Sequence, residues 1–174
     1  MDLNSKIRTI PDFPKKGIMF KDITTALKDP EALAFCVDEF YKTYRDQGIT
    51  KVIGIESRGF IIGAALAYRL GAGFVPIRKP GKLPSSVIRA EYQLEYGVDS
   101  IEIHTDAVQK GEKVLLHDDV LATGGTMQAA CKLVEQLGGK IIGVSFIIEL
   151  AFLKPRLKLP QYQIHSLVKY NTEE

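Results

Sequence analysis

Residues 114–126 read Val-Leu-Leu-His-Asp-Asp-Val-Leu-Ala-Thr-Gly-Gly-Thr, and the fold follows from how this stretch divides. Val114, Leu115 and Leu116 form the short apolar run typical of a buried parallel strand. Two adjacent carboxylates, Asp118 and Asp119, end that run. Ala122-Thr123-Gly124-Gly125-Thr126 is a small-residue turn that opens a helix. Along the helix Met127, Ala130, Cys131, Val134 and Leu137 fall at spacings of three and four, and Gly138-Gly139 supplies the stop.

Strand, loop and helix start together make a phosphate site. Glycines let the backbone approach an anion, and the free N–H groups of a helix N-terminus point at it. Thr123 and Thr126 add hydroxyl donors. The acidic pair repels phosphate and so must face another part of the ligand. A ribose diol suits it, because both hydroxyls can donate to a carboxylate. The implied ligand is a sugar with a phosphate beside it. A nucleotide P-loop is excluded, since no Gly-x4-Gly-Lys-Ser/Thr occurs, and so is the Gly-x-Gly-x-x-Gly dinucleotide fingerprint.

The same arrangement recurs earlier in the chain. Asp29-Pro30-Glu31 starts a helix that should run to Gln47 and stop at Gly48. Lys51 to Ile55 reads as a strand, Glu56-Ser57-Arg58-Gly59 as a loop, and the residues through Ile61, Ala65 and Leu66 to Gly71 as a helix. Gly73 to Ile77 is a further strand, followed by Arg78-Lys79-Pro80-Gly81-Lys82, a turn rich in cations. Arg58 in such a loop suits paired phosphate oxygens, and lysines serve as point charges. Val87 to Glu95 and Ile101 to His104 read as two strands joined near Gly97. Lys140 to Ile148 and Gln163 to Val168 are two more, the last near an edge. Residues 2–9 read as a short helix, and Ile10 to Phe20, with Pro11, Pro14 and Gly17, as an irregular surface segment.

Composition is consistent with one globular domain over residues 1–174. Lys and Arg number 23 against 21 Asp and Glu, too even a balance for a nucleic-acid surface. No apolar stretch is long enough for a membrane span, and the polar N-terminus does not read as a signal peptide. Cys36 and Cys131 lie far apart among apolar neighbours and read as buried free thiols of a reducing cytoplasm. His117 reads as a core histidine rather than a catalytic one.

Val114 to Thr126 resembles the phosphoribosyl pyrophosphate (PRPP) motif of the type I phosphoribosyltransferase family. Its form, Asp-Asp-x-Leu-Ala-Thr-Gly-Gly-Thr, resembles that of the adenine phosphoribosyltransferases. The resemblance extends over roughly residues 9–150 through Pro11 to Thr24, Glu56 to Phe60, Arg78 to Pro84 and Tyr92 to Gly97. It implies an α/β fold, a mostly parallel sheet with helices on both faces, with a small N-terminal hood (residues 9–25) and a mobile lid (residues 87–99). The implied reaction joins adenine and PRPP to give AMP and pyrophosphate, with Mg2+ held mainly through substrate. By resemblance Arg58, Arg78, Lys79 and Lys82 serve the pyrophosphate, Asp118 and Asp119 the ribose, and Ala122, Thr123, Gly124, Gly125 and Thr126 the 5′-phosphate. Glu95 is the implied proton carrier, and the backbone near Met19, Phe20 and Lys21 the implied adenine site. A cytoplasmic homodimer is implied as well. Ala151 to Leu159 departs from the family pattern, and no function attaches to it. Two rivals are a xanthine or hypoxanthine phosphoribosyltransferase, and a PRPP-sensing regulator that binds nucleic acid. The regulator would need a basic face or an added helix-turn-helix, for which no residues are left over.

Overall fold

A computed structural model describes residues 1–94 and 97–173. The N-terminal segment forms β1 (Arg8–Ile10), β2 (Phe20–Asp22) and a single helical turn, α1 (Thr24–Leu27). Then come α2 (Pro30–Tyr44), β3 (Lys51–Ile55), α3 (Gly59–Leu70) and β4 (Gly73–Ile77). A hairpin of β5 (Val87–Gln93) and β6 (Val98–His104) follows, then β7 (Lys113–Leu121), α4 (Gly125–Gln136), β8 (Lys140–Leu150) and β9 (Ile164–Tyr170).

The central sheet has the order β4-β3-β7-β8-β9 and every pairing in it is parallel. The strand that carries the acidic pair is the middle one, buried on both sides, which is why Val114, Leu115 and Leu116 are fully buried. One face is covered by α2 and α3, with Phe40, Ile62 and Leu66 at its centre. The other is covered by α4 and by the hairpin, whose Ile101 and Ile103 stand in for the apolar stripe of a second helix. Helices therefore do lie on both faces, but one face needs a β-hairpin to complete it.

Several boundaries differ from the expected ones. The helix expected over residues 2–9 shrinks to a 3-10 turn at Asn4–Lys6, because Arg8 to Ile10 pair as a strand with Phe20 to Asp22. Helix α2 is capped by the Asp29 side chain, which accepts from Glu31 N and Ala32 N, and it ends at Tyr44 rather than Gln47. Strand β6 begins at Val98 rather than Ile101, since the antiparallel ladder already pairs Val98 with Gln93. Strand β7 does not stop before the carboxylates. It runs on to Leu121, drawn out by pairing with β8 as far as Glu149, so Asp118 and Asp119 are strand residues.

Candidate active site

A cavity of about 460 Å3 opens at the carboxyl ends of β3 and β7, where parallel α/β sheets bind ligands. Its wall brings together Met19, Phe20 and Lys21 from the N-terminal segment, Arg58 and Lys79 from the loops after β3 and β4, and Asp118, Asp119, Ala122 and Thr126 from β7 and its loop. A second hollow of about 70 Å3 adjoins it, lined by Asp118, Ala122, Thr123, Gly124 and Thr126. The acidic pair, Ala122 and Thr126 thus share one space with residues 18–21, about 100 residues away in sequence.

The two carboxylates differ. Asp119 is buried and forms an ion pair with Arg58 Nε. Asp118 accepts from the Asp119 N–H at 2.8 Å and has no cation partner at ion-pair distance among the described residues. Burial, then the neighbouring charge of Asp119, pushes the Asp118 carboxyl well above the usual carboxylate range. Asp118 also explains Gly59 at the start of α3: a methyl group there would lie 3.0 Å from Asp118 Oδ1 and from the His117 carbonyl.

The basic turn is held by acidic residues. Glu56 accepts from the Lys79 N–H at 2.7 Å and pairs with Arg78 at 3.4 Å. Glu102 is buried and accepts from the Gly81 N–H at 2.7 Å. Lys79 Nζ pairs with Asp99 and donates to Tyr92 Oη at 2.8 Å, and Tyr92 Oη donates to Asp99 at 3.0 Å. Burial alone would lower the Lys79 pKa; its bonds to Asp99 and Tyr92 outweigh that and raise it. Arg78 and Lys82 stand back from the cavity wall, Arg78 turned to Glu56 and Lys82 exposed. Gly125 also lies outside both walls.

In the hood, the Lys21 side chain points away from the cavity. It donates to Thr9 Oγ1 at 3.1 Å and its Nζ lies over the Tyr170 ring at 4.4 Å. His117 is fully buried with Nδ1 2.9 Å from Ser145 Oγ, a core residue as expected, although its Nε2 has no partner among the described residues. Burial lowers its pKa to about 4. Cys36 and Cys131 are buried and free. Glu95, the expected proton carrier, lies outside the described residues.

Glu56, Tyr92, Asp99, Leu150 and Leu153 belong to this site or its supports and were not singled out from sequence. Glu56 carried a readable signal, a carboxylate at a strand's carboxyl end beside Arg58. Asp99 carried none until the hairpin register set it opposite Tyr92.

Among the described residues no cluster of three or more His, Cys, Asp or Glu forms a metal cage, and no helix is long and apolar enough to cross a membrane. Residues 24–166 match the phosphoribosyl transferase domain family. The chain is 58% identical, over 98% of its length and 100% of the relative's, to the adenine phosphoribosyltransferase of Alkaliphilus metalliredigens. Its fold is similar to the crystal structure of adenine phosphoribosyltransferase from Thermoanaerobacter pseudethanolicus, with TM-score 0.94, 53% identity, and 97% and 98% of the two chains covered. It is also similar to the enzyme from Giardia lamblia complexed with 9-deazaadenine, with TM-score 0.93, 44% identity, and 98% and 97% covered.

Proposed function

The chain belongs to the phosphoribosyltransferase family, and from that premise we infer that it transfers the phosphoribosyl group of PRPP to adenine, giving AMP and pyrophosphate. The observation that carries this reading is the continuity of the cavity. It runs from the hood backbone, past paired cations and two carboxylates, into a hollow at a helix N-terminus. Base, pyrophosphate, ribose and 5′-phosphate need that order of surfaces.

The 5′-phosphate sits on the N–H groups and hydroxyls of Ala122 to Thr126. Asp118 takes the ribose hydroxyls, since it faces both cavities and is not tied to a cation. Arg58 and Lys79 meet the pyrophosphate, with Arg78 and Lys82 reaching it only by a turn of their side chains. As the pyrophosphate leaves, the anomeric carbon gains oxocarbenium character, by analogy with glycoside chemistry, and the cations stabilise the departing charge. Mg2+ would be carried mainly by PRPP and water, with Asp118 nearby, and would supply neutralisation of the pyrophosphate charge. The hairpin acts as the lid that excludes water, and Glu95 manages the purine proton. Glu95→Gln should therefore lower kcat more than it changes KM in steady-state assays.

Adenine presents a donor at N6 and an acceptor at N1, whereas hypoxanthine presents the reverse. The hood backbone offers N–H and C=O groups in fixed register, which suits that distinction. Exposed Ile61 and Tyr68, seven residues apart on α3, are consistent with a homodimer surface, and the buried free thiols with a cytoplasmic enzyme. The test is to mix the protein with PRPP, Mg2+ and each purine base in turn. AMP should form with adenine, with no nucleotide from hypoxanthine or xanthine; nucleotide from hypoxanthine as fast as AMP from adenine would overturn the assignment.

A further inference from the structure

The loop read as the 5′-phosphate site carries no cation of its own. Between Val120 and Met127 there is no cationic side chain, so a phosphate dianion there would meet only N–H groups and hydroxyls. The cations on the cavity wall already have partners: Arg58 pairs with Asp119, Lys79 with Asp99, and Lys21 donates to Thr9 Oγ1.

A turn from the far end of the chain closes on this loop. Residues Pro155–Lys158 form a 3-10 turn after β8. A methyl group on Gly124 would lie 2.9 Å from the Pro155 carbonyl oxygen and 3.5 Å from Lys158 Cβ. One on Gly125 would lie 3.9 Å from Lys158 Nζ. Gln128, in the first turn of α4, donates to the Lys158 carbonyl at 3.1 Å. The turn is held there by Glu149, only 1% exposed, which accepts from Arg156 Nε and Nη2 at 2.6 and 2.8 Å and from Ser166 Oγ at 2.6 Å. Lys158 itself is exposed and has no carboxylate partner among the described residues.

We propose that Lys158 is the cation of the 5′-phosphate cradle, delivered to the N-terminus of α4 by the clamped 155–158 turn. The proposal rests on the reading of Ala122 to Thr126 as the 5′-phosphate loop. A lysine suits the task, being a point charge on a flexible stem that needs no fixed fork geometry. It supplies the charge that the loop lacks, as the lysine within a P-loop does from inside the motif.

The test compares Lys158→Gln with the wild-type chain for calorimetric binding of AMP and of adenosine, which lacks the phosphate. AMP affinity should fall about tenfold while adenosine affinity is unchanged, since one charge-assisted contact is lost. Lys158→Arg should keep AMP affinity within about threefold of wild type, because the charge is retained. Equal AMP affinity in Lys158→Gln and wild type would overturn the proposal, and so would an equal loss for adenosine. Those outcomes leave the phosphoribosyl-transfer reading intact. A wild-type chain that binds neither ligand would overturn both.

Discussion

The chain builds the same local object twice, β3-loop-α3 and β7-loop-α4, and equips the two copies with opposite tools. The first loop and its neighbour after β4 are crowded with charged side chains, and three of their cations are tied to protein carboxylates: Arg58 to Asp119, Arg78 to Glu56, Lys79 to Asp99. The second loop has no charged side chain and offers backbone N–H groups and the Thr123 and Thr126 hydroxyls, with Gly124 at φ +87° opening α4. The difference matches what each must hold in the reaction proposed here. Pyrophosphate arrives and departs, and cations with a resident counter-charge are not left unpaired when it goes. The 5′-phosphate stays on the sugar from substrate to product, and a rigid array of N–H groups suits a charge that does not move.

If the second unit depends on backbone geometry, Gly124→Ala should cause the largest loss. The left-handed φ and the Pro155 oxygen 2.9 Å from the new methyl oppose it together. A loss of about 3 kcal/mol, or roughly a hundredfold in kcat/KM for PRPP, is expected. Wild-type kinetics for PRPP would break the comparison at its stronger end.

In the first unit side chains should carry the effect. Arg58→Ala should cost about 1.5–3 kcal/mol in kcat/KM for PRPP, the range for a lost charge-assisted bond. Affinity for AMP, which lacks pyrophosphate, should change less. If PRPP and AMP suffer alike, Arg58 is not a pyrophosphate group.

Acid should reach the second unit through its strand. His117, next to Asp118 on β7, has a folded pKa of about 4, lowered by burial, against about 6.5 when unfolded. The unfolded chain therefore binds more protons between those values. The stability this represents is full above about pH 6.5 and is lost as pH falls toward 4. Urea unfolding at pH 7 and pH 5 should differ by about 2 kcal/mol on this account, and the difference should shrink in a His117→Gln chain. An unchanged difference would place the acid sensitivity elsewhere, for instance at half-buried His165, whose pKa burial also lowers.

The smallest effect sharpens the comparison in the hood. Since the Lys21 side chain turns to Thr9 and Tyr170, Lys21→Ala should leave the preference for adenine over hypoxanthine unchanged within about twofold, measured as the ratio of kcat/KM. A variant that used hypoxanthine as readily as adenine would show that a side chain, not the backbone, reads the base.

Much of this molecule is written locally. Strands β3 and β4, helix α4 and the start of α2 run close to where apolar periodicity, glycine stops and, for α2, Asp29-Pro30 capping put such elements, because those signals act between neighbours in the chain. The Ala122 to Thr126 loop and the Asp118–Asp119 pair were legible as sequence features for the same reason, each being a run of consecutive residues. Only the tertiary structure decided the rest. Arg58 and Asp119 stand 61 residues apart, Lys79 and Asp99 20, and their pairing depends on strand order and hairpin register. Lys158 is one exposed lysine among many until the Glu149–Arg156 clamp lays its turn on Gly124 and Gly125. Apolar burial is encoded by the pattern of one segment, whereas a charge finds its partner only where the packing of several segments puts it, and no single stretch of sequence contains that information.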